Sequence, residues 1–261
     1  MPSYINHVTQ AASYVDYLMA IAGASLTVMA LVIAFELRPE SSKLHPSLIS
    51  SLIVAVLASF IGTHLMSGVA ALQTPDAEAL GRNLGLRFFL LSYVNVDIAS
   101  NCFMMSMLLL LPAFQPELAH ILRHLITMVF FCMIGGQLLW TCEEVLILSQ
   151  TYEQGILVIS TAMIVGLVTY VGIWNKVKRL EKQGQSSMMP FLICTIVSTS
   201  SILFNLIYPN ENDMPMKLDL YIFAIASSLV FASVGCAGWI TLSKVHRHDY
   251  DSIGLPRFLK S

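Results

Sequence analysis

Seven long apolar runs, separated by short polar segments, restrict the fold of this sequence more than any other feature. Each run has about 20 residues or more, which is the length that an α-helix needs to cross a hydrocarbon core about 30 Å thick. The runs cover residues 14–35, 48–72, 86–111, 118–142, 155–174, 188–208 and 218–242. With 56% hydrophobic and 11% charged residues, the chain cannot cover itself with a polar surface. The sequence therefore predicts an all-α membrane protein, a seven-transmembrane-helix bundle that forms one domain over residues 1–261.

The segment between the fourth and fifth runs is the weakest boundary. Residues 142–154 (CEEVLILSQTYEQ) have an apolar middle that either extends a helix or forms a short hairpin. The first run is unlike a cleaved secretory signal, because residues 1–13 contain no Lys or Arg and the run is longer than the apolar region of a signal. We therefore interpret the first run as a retained helix.

The distribution of Lys and Arg predicts the orientation, because cytoplasmic loops of membrane proteins carry an excess of these residues. Eleven of the 14 lie in the first, third and fifth loops and the C-terminal tail. The bias places the N-terminus outside and the C-terminus in the cytoplasm, in a multi-pass protein of the cell membrane, plasma or inner. The expected partner is the lipid bilayer, with a homo-oligomer or another membrane protein as further options. No basic stripe indicates a nucleic acid partner.

Polar side chains at membrane depth are the candidate functional residues, since their burial in lipid is costly. Asp97 lies near mid-membrane, where we expect it to be protonated and to donate a hydrogen bond to a Ser, Asn or Gln side chain. His64 lies in the outer third of the second helix, and we expect it to face the third helix inside the bundle. The other candidates are polar residues of the third, fourth and sixth helices: Tyr93, Asn95, Ser100, Asn101, Gln137, Asn205 and Tyr208.

Three interpretations of these polar residues remain open. The residues satisfy one another by structural hydrogen bonds, the residues form a proton or ion pathway, or the residues line a ligand pocket. No nucleophile elbow, phosphate loop or HExxH motif indicates an enzyme. His120 and His124 are four residues apart, but both lie at the headgroup level, and the cysteines form no CxxC pair, so no metal or haem site is expected.

Small residues are the predicted positions of close helix packing, because they let helix backbones approach one another in lipid. The prediction covers Gly23 with Ala24 and Ser25, Gly62, Gly135, Gly136, Gly166, Gly235 and Gly238.

Three local motifs accompany the predicted topology. The first two helices are joined by a Glu-x-Arg turn (Glu36, Arg38), and His64 lies near the outer end of the second. Helix six ends in Ile-Tyr-Pro at residues 207–209, and helix seven ends in GWITLSK at residues 238–244. Together with the order and length of the segments, these motifs resemble the microbial rhodopsins, most closely the proteorhodopsin branch. In that branch, the histidine that matches His64 pairs with the counterion of helix three.

The chain departs from that family at the residues of the photochemistry. The family attaches retinal to a lysine in the middle of helix seven, and here that position falls near Phe231. All seven lysines lie in loops or at helix ends, so the resemblance implies no covalent retinal. The helix-three counterion position falls on Leu90 or Asn95, according to the alignment, and neither is a carboxylate. Asn205 stands where the family has a tryptophan, and the family's helix-seven Asp falls around Ser227.

The resemblance therefore implies a lysine-less, rhodopsin-like protein that is not a covalent-retinal light-driven pump. Its expected role is sensory, regulatory or partner-binding, with noncovalent retinal or another apolar ligand as a compatible cofactor. The alternative is a small transporter or a proton or ion channel that uses Asp97 and its polar neighbours.

Overall fold

The computed structural model of the chain describes residues 2–36, 46–71, 75–110, 116–182, 188–207 and 216–252. Within these ranges the chain forms seven α-helices, which confirms the all-helical prediction. They are α1 (Pro2–Glu36), α2 (Pro46–Ala71), α3 (Pro75–Leu110), α4 (Pro116–Leu148), α5 (Tyr152–Lys182), α6 (Met189–Ile207) and α7 (Met216–Ser252). Six of these helices contain a segment that is long and apolar enough to cross a membrane, whereas the apolar segment described in α6 is shorter.

Several helices begin before their apolar runs, and four of them begin at a proline. These first residues are Pro2, Pro46, Pro75 and Pro116. Proline suits the first helical position, because the missing N–H would have no partner there and the fixed φ angle already fits a helix. The apolar runs mark only the segments that suit lipid, so they miss polar turns that continue the same helices.

The first part of the segment between the fourth and fifth apolar runs, up to Leu148, belongs to helix four. α4 continues through Cys142 to Leu148, and α5 begins four residues later, at Tyr152. The Thr151 hydroxyl accepts a hydrogen bond from the backbone N–H of Gln154 at 3.2 Å, which satisfies one of the free donors at the start of α5. The alternative of a short hairpin in residues 142–154 is therefore wrong.

Helix α3 lies at the centre of the bundle. It packs against α1, α2, α4, α6 and α7, and every residue from 89 to 102 is buried. By contrast, α4 and α5 expose large apolar side chains such as Leu139 and Met163, with exposed fractions of 75% and 67%. These two helices present the kind of surface that lipid tails cover, whereas α3 is enclosed by protein.

The glycines divide into two groups. A β-carbon added at Gly62, Gly166 or Gly238 would lie within 3.4 Å of another helix, so the packing prediction is confirmed at these three positions. For the other four helical glycines, the structure gives no heavy atom of the described residues within 4 Å of such a carbon, and the prediction is wrong there. They are Gly23, Gly135, Gly136 and Gly235.

A buried polar site around helix three

Asp97 is the carboxyl at the centre of the site. Its side chain is completely buried, and neither oxygen has a hydrogen-bond partner among the described residues. The predicted hydrogen bond to a Ser, Asn or Gln side chain is therefore wrong. Because the side chain is completely buried and the described residues provide no donor, an ionised carboxylate here would cost several kcal/mol. The local surroundings favour the neutral, protonated form of Asp97.

Asn95 connects α3 to α6. Its Nδ2 donates to Ser201 Oγ at 3.1 Å and to the backbone oxygen of Leu91 at 2.9 Å. Its Oδ1 accepts a hydrogen bond from Ser198 Oγ at 2.5 Å. Both ends of the amide are thus satisfied inside the bundle, as a structural cross-link requires.

Ser100 and Asn101 connect α3 to α1 and α4, one turn beyond Asp97. Ser100 Oγ donates to the backbone oxygen of Val96 at 2.6 Å, so the Tyr17 hydroxyl is the donor in its 3.0 Å contact with Ser100. Asn101 Nδ2 donates to Gln137 Oε1 at 2.7 Å, which brings two of the predicted residues together. Asn101 Oδ1 is buried without a hydrogen-bond partner among the described residues.

Aromatic rings surround the preceding turn of α3. Tyr93 stacks on Trp140 of α4 with ring centroids 3.6 Å apart, and it meets the Tyr14 ring edge-on at 5.6 Å. Trp140 also contacts Phe89 and Phe223, with centroid distances of 6.3 Å to each. Asp97 therefore lies between an aromatic layer at Tyr93 and an amide layer at Asn101.

A largely buried ion pair joins Arg87, more than three turns into α3, to Asp219 in the first turn of α7. Arg87 Nε lies 3.1 Å from Asp219 Oδ1, and the two side chains are only 6% and 11% exposed. The guanidinium also lies over the Phe204 ring, 5.5 Å from its centroid, so one cation joins three helices. Arg87 is ten residues from Asp97, about 15 Å along the helix, which is too far to compensate its charge.

Not every predicted residue faces the interior. The His64 side chain is exposed, so the prediction that it faces helix three is wrong. Two residues before it, the backbone oxygen of Gly62 accepts a hydrogen bond from Ser92 at 2.8 Å, and this is the side of α2 that meets α3. The Asn205 side chain and the whole of Tyr208 lie outside the described residues.

Glu144 is a buried carboxyl that the sequence prediction missed. The sequence analysis ended the fourth apolar run at Cys142 and therefore assigned Glu143 and Glu144 to the segment that follows it. In the structure α4 continues, Glu143 is exposed, and Glu144 is only 9% exposed. The spacing of Gln137, Trp140 and Glu144, three and four residues apart, was the available signal, because it places all three on one helix face.

The site thus combines a fully buried carboxyl, a second buried carboxyl and tyrosine hydroxyls, which are groups that can take up and release a proton, with amides that can only donate and accept hydrogen bonds. Among the described residues, no group of three or more His, Cys, Asp or Glu side chains could hold a metal ion. No family model matches the chain, and no curated protein and no solved structure is significantly similar to it.

Proposed function

We propose that this chain is a proton-translocating membrane protein, a small transporter or channel, in which Asp97 binds the transported proton. The observation that carries the proposal is the complete burial of Asp97 on the central helix, where no described residue gives either oxygen a hydrogen bond. A carboxyl that served only to join helices would have partners, as Asn95 has through Ser198 and Ser201. Ionisable side chains inside a membrane bundle commonly mark ion and proton paths.

Replacing Asp97 with Asn tests this function, because an amide has nearly the same shape but cannot take up and release a proton. In liposomes that contain the purified protein and a pH-sensitive dye, we expect the variant to lower proton flux by at least about 100-fold, a typical effect of removing a proton-transferring group. Asp16→Asn is the matched control, since Asp16 is exposed on α1, and its flux should equal that of the wild type.

The thermal melting temperature of each variant shows that lost flux does not reflect lost folding. Wild-type flux no higher than that of protein-free liposomes would overturn the proposal. So would a folded Asp97→Asn variant that transports protons at the wild-type rate.

The proposed orientation has the N-terminus outside and the C-terminus in the cytoplasm of a cell membrane. The support for it is the bias of Lys and Arg towards the loops on one side, which hold 11 of the 14 residues. With this orientation, the ion pair of Arg87 and Asp219 lies towards the external surface, and Asp97 lies deeper in the bundle.

A sensory or regulatory protein that works without covalent retinal is the second candidate. Phe231, at the position where the rhodopsin resemblance expects the lysine, is 7% exposed and belongs to the same apolar core as Tyr93 and Phe223. The two lysines whose side chains are described, Lys176 and Lys178, are exposed on α5. A buried phenyl ring cannot form an imine, and these amines lie on the surface of the bundle.

We expect the purified protein to form no covalent pigment with all-trans retinal. After incubation and borohydride reduction, the denatured protein should show no retinyl absorbance above that of a lysine-blocked sample. A lysine-containing rhodopsin treated in the same way is the positive control. A red-shifted visible band that borohydride fixes to the chain would contradict this expectation.

A further inference from the structure

The apolar segment of α5 ends in a basic stretch. The part of the helix that suits lipid covers Tyr152–Arg179, and residues 176–182 (KVKRLEK) contain four basic residues against one acidic residue. The side chains of Lys176, Lys178 and Arg179 are all exposed. Since the bilayer phosphates lie where an apolar helix segment ends, these cations lie at the level of the lipid headgroups.

Tyr170, Trp174 and Lys178 form a ladder along α5, each residue one helical turn from the next. The rings of Tyr170 and Trp174 are nearly parallel, with centroids 6.2 Å apart and planes 9° apart. The Lys178 ammonium lies over the other end of this stack, 4.6 Å from the centroid of the Trp174 ring. A cation is attracted to the face of an indole ring, so the ladder holds one exposed ammonium of the basic stretch at a defined place.

The α5 ladder lies between a buried and an exposed face of the helix. Its two rings pack against the apolar cluster that contains Ile173 and Val177, which anchors them on the bundle. On the other side, Leu167 and Val171 have exposed apolar side chains. Each of these two residues precedes a ring of the ladder by three positions and is therefore its neighbour on the helix surface. The surface thus runs from apolar side chains through aromatic rings to a cation, in the order in which a phospholipid presents its acyl chain and its phosphate.

We propose that the α5 ladder binds one anionic phospholipid, whose phosphate contacts Lys178 and Arg179 and whose acyl chain covers Leu167 and Val171. Charge complementarity selects the lipid, because a zwitterionic headgroup would bring its own cation to the basic stretch. A free anion would satisfy the two cations but would leave the adjoining apolar surface without a partner. Arg179 adds a planar guanidinium, which can donate two parallel hydrogen bonds to phosphate oxygens.

The test compares Lys178→Met with Lys176→Met, two exposed lysines of which only the first lies over Trp174. The two positions differ by about 200° around the helix, so Lys176 lies on the opposite flank. Native mass spectrometry of the full-length, detergent-solubilised protein measures the Kd of the first bound phosphatidylglycerol or phosphatidylcholine, both with the same acyl chains. We expect the wild type to prefer phosphatidylglycerol, and Lys178→Met to weaken its binding about fivefold, the contribution of one cation at an anionic membrane surface. Lys176→Met should leave this Kd nearly unchanged.

Two further variants separate the charge from the ring. Lys178→Arg keeps a cation over Trp174 and should bind phosphatidylglycerol like the wild type. Trp174→Leu keeps an apolar side chain and all the basic residues, but it removes the ring that positions the ammonium. It should therefore weaken binding of phosphatidylglycerol, and the melting temperature of each variant shows that the bundle is still folded.

Three outcomes would overturn the inference, and none of them depends on proton flux. Equal Kd values for phosphatidylglycerol and phosphatidylcholine would show that the surface does not select an anionic headgroup. Equal losses in Lys176→Met and Lys178→Met would show that only the overall positive charge attracts the lipid. If inorganic phosphate at the concentration of the lipid displaces phosphatidylglycerol, the basic stretch takes the anion alone.

Discussion

We expect Arg87→Met to lower the free energy of unfolding by about 3–5 kcal/mol, because it leaves the Asp219 carboxylate buried without its cation. Arg87 and Asp219 are 6% and 11% exposed, so little water is available to replace the lost partner. The substitution also removes the cation from the Phe204 ring, which weakens the contact of α3 with α6. Titration of detergent-solubilised protein with a denaturing detergent measures the effect.

The double variant Arg87→Met/Asp219→Leu shows whether the loss of stability comes from the unpaired Asp219 carboxylate or from lost packing around Arg87. It should recover most of the lost stability, since an apolar pair can replace a buried ion pair with little cost. Lys178→Met is the control for removing a cation near an aromatic ring, because Lys178 is exposed and lies 4.6 Å from the centroid of Trp174. That change should cost about 0.5–1 kcal/mol. An Arg87→Met variant no less stable than Lys178→Met would contradict the buried ion pair.

Gly62→Ala should destabilise the bundle by about 1–3 kcal/mol, the usual cost of adding volume to a well-packed interior. A β-carbon at Gly62 would lie 2.8 Å from Leu18 Cδ1 and 3.1 Å from Asn95 Cβ. Leu18 and Asn95 are both completely buried, so neither side chain can move aside into open space. The strain falls where α1, α2 and α3 meet, and the same denaturation assay measures it.

Gly68→Ala is the matched control on the same helix. No heavy atom of the described residues lies within 4 Å of a β-carbon added at Gly68, so only the intrinsic preference of a helix for alanine should act. That preference favours alanine by about 1 kcal/mol. Equal stability of the two variants would show that α2 lies farther from its neighbours than the structure indicates.

The number of helices could be predicted from the sequence, because each crossing needs a long apolar run and the polar breaks between the runs are short. The helix ends could not, since α4 continues past Cys142 into a segment whose adjacent glutamates, Glu143 and Glu144, suggested a loop. Apolar runs report which segments suit lipid, whereas a helix continues for as long as its backbone hydrogen bonds do. Because the apolar run ends at Cys142, the sequence did not indicate that Glu144 lies on a helix and is buried.

The sequence identified the polar residues of the site but not which of them form hydrogen bonds with one another. Asp97 and Asn101 were recognised as polar groups at membrane depth, and the pairing of Asn101 with Gln137 needed the structure. Helix periodicity identifies a buried face only when another face is exposed, and residues 89–102 have no exposed side chain. For His64, the expectation came from a resemblance, and the packing of α2 places the Gly62 side of that helix against α3 instead.

The enclosure of α3 also has a consequence for how the chain enters the membrane. An Asp, Lys or Arg residue at the centre of an inserting helix costs about 2.5–3.5 kcal/mol, and α3 carries Asp97 together with buried Asn95 and Asn101. Alone in lipid, this helix would lose the hydrogen bonds that Asn101 makes with Gln137 of α4 and that Asn95 makes with Ser198 of α6. During synthesis, α3 is therefore expected to pause at the translocation machinery and to leave it only once later helices are available to surround it.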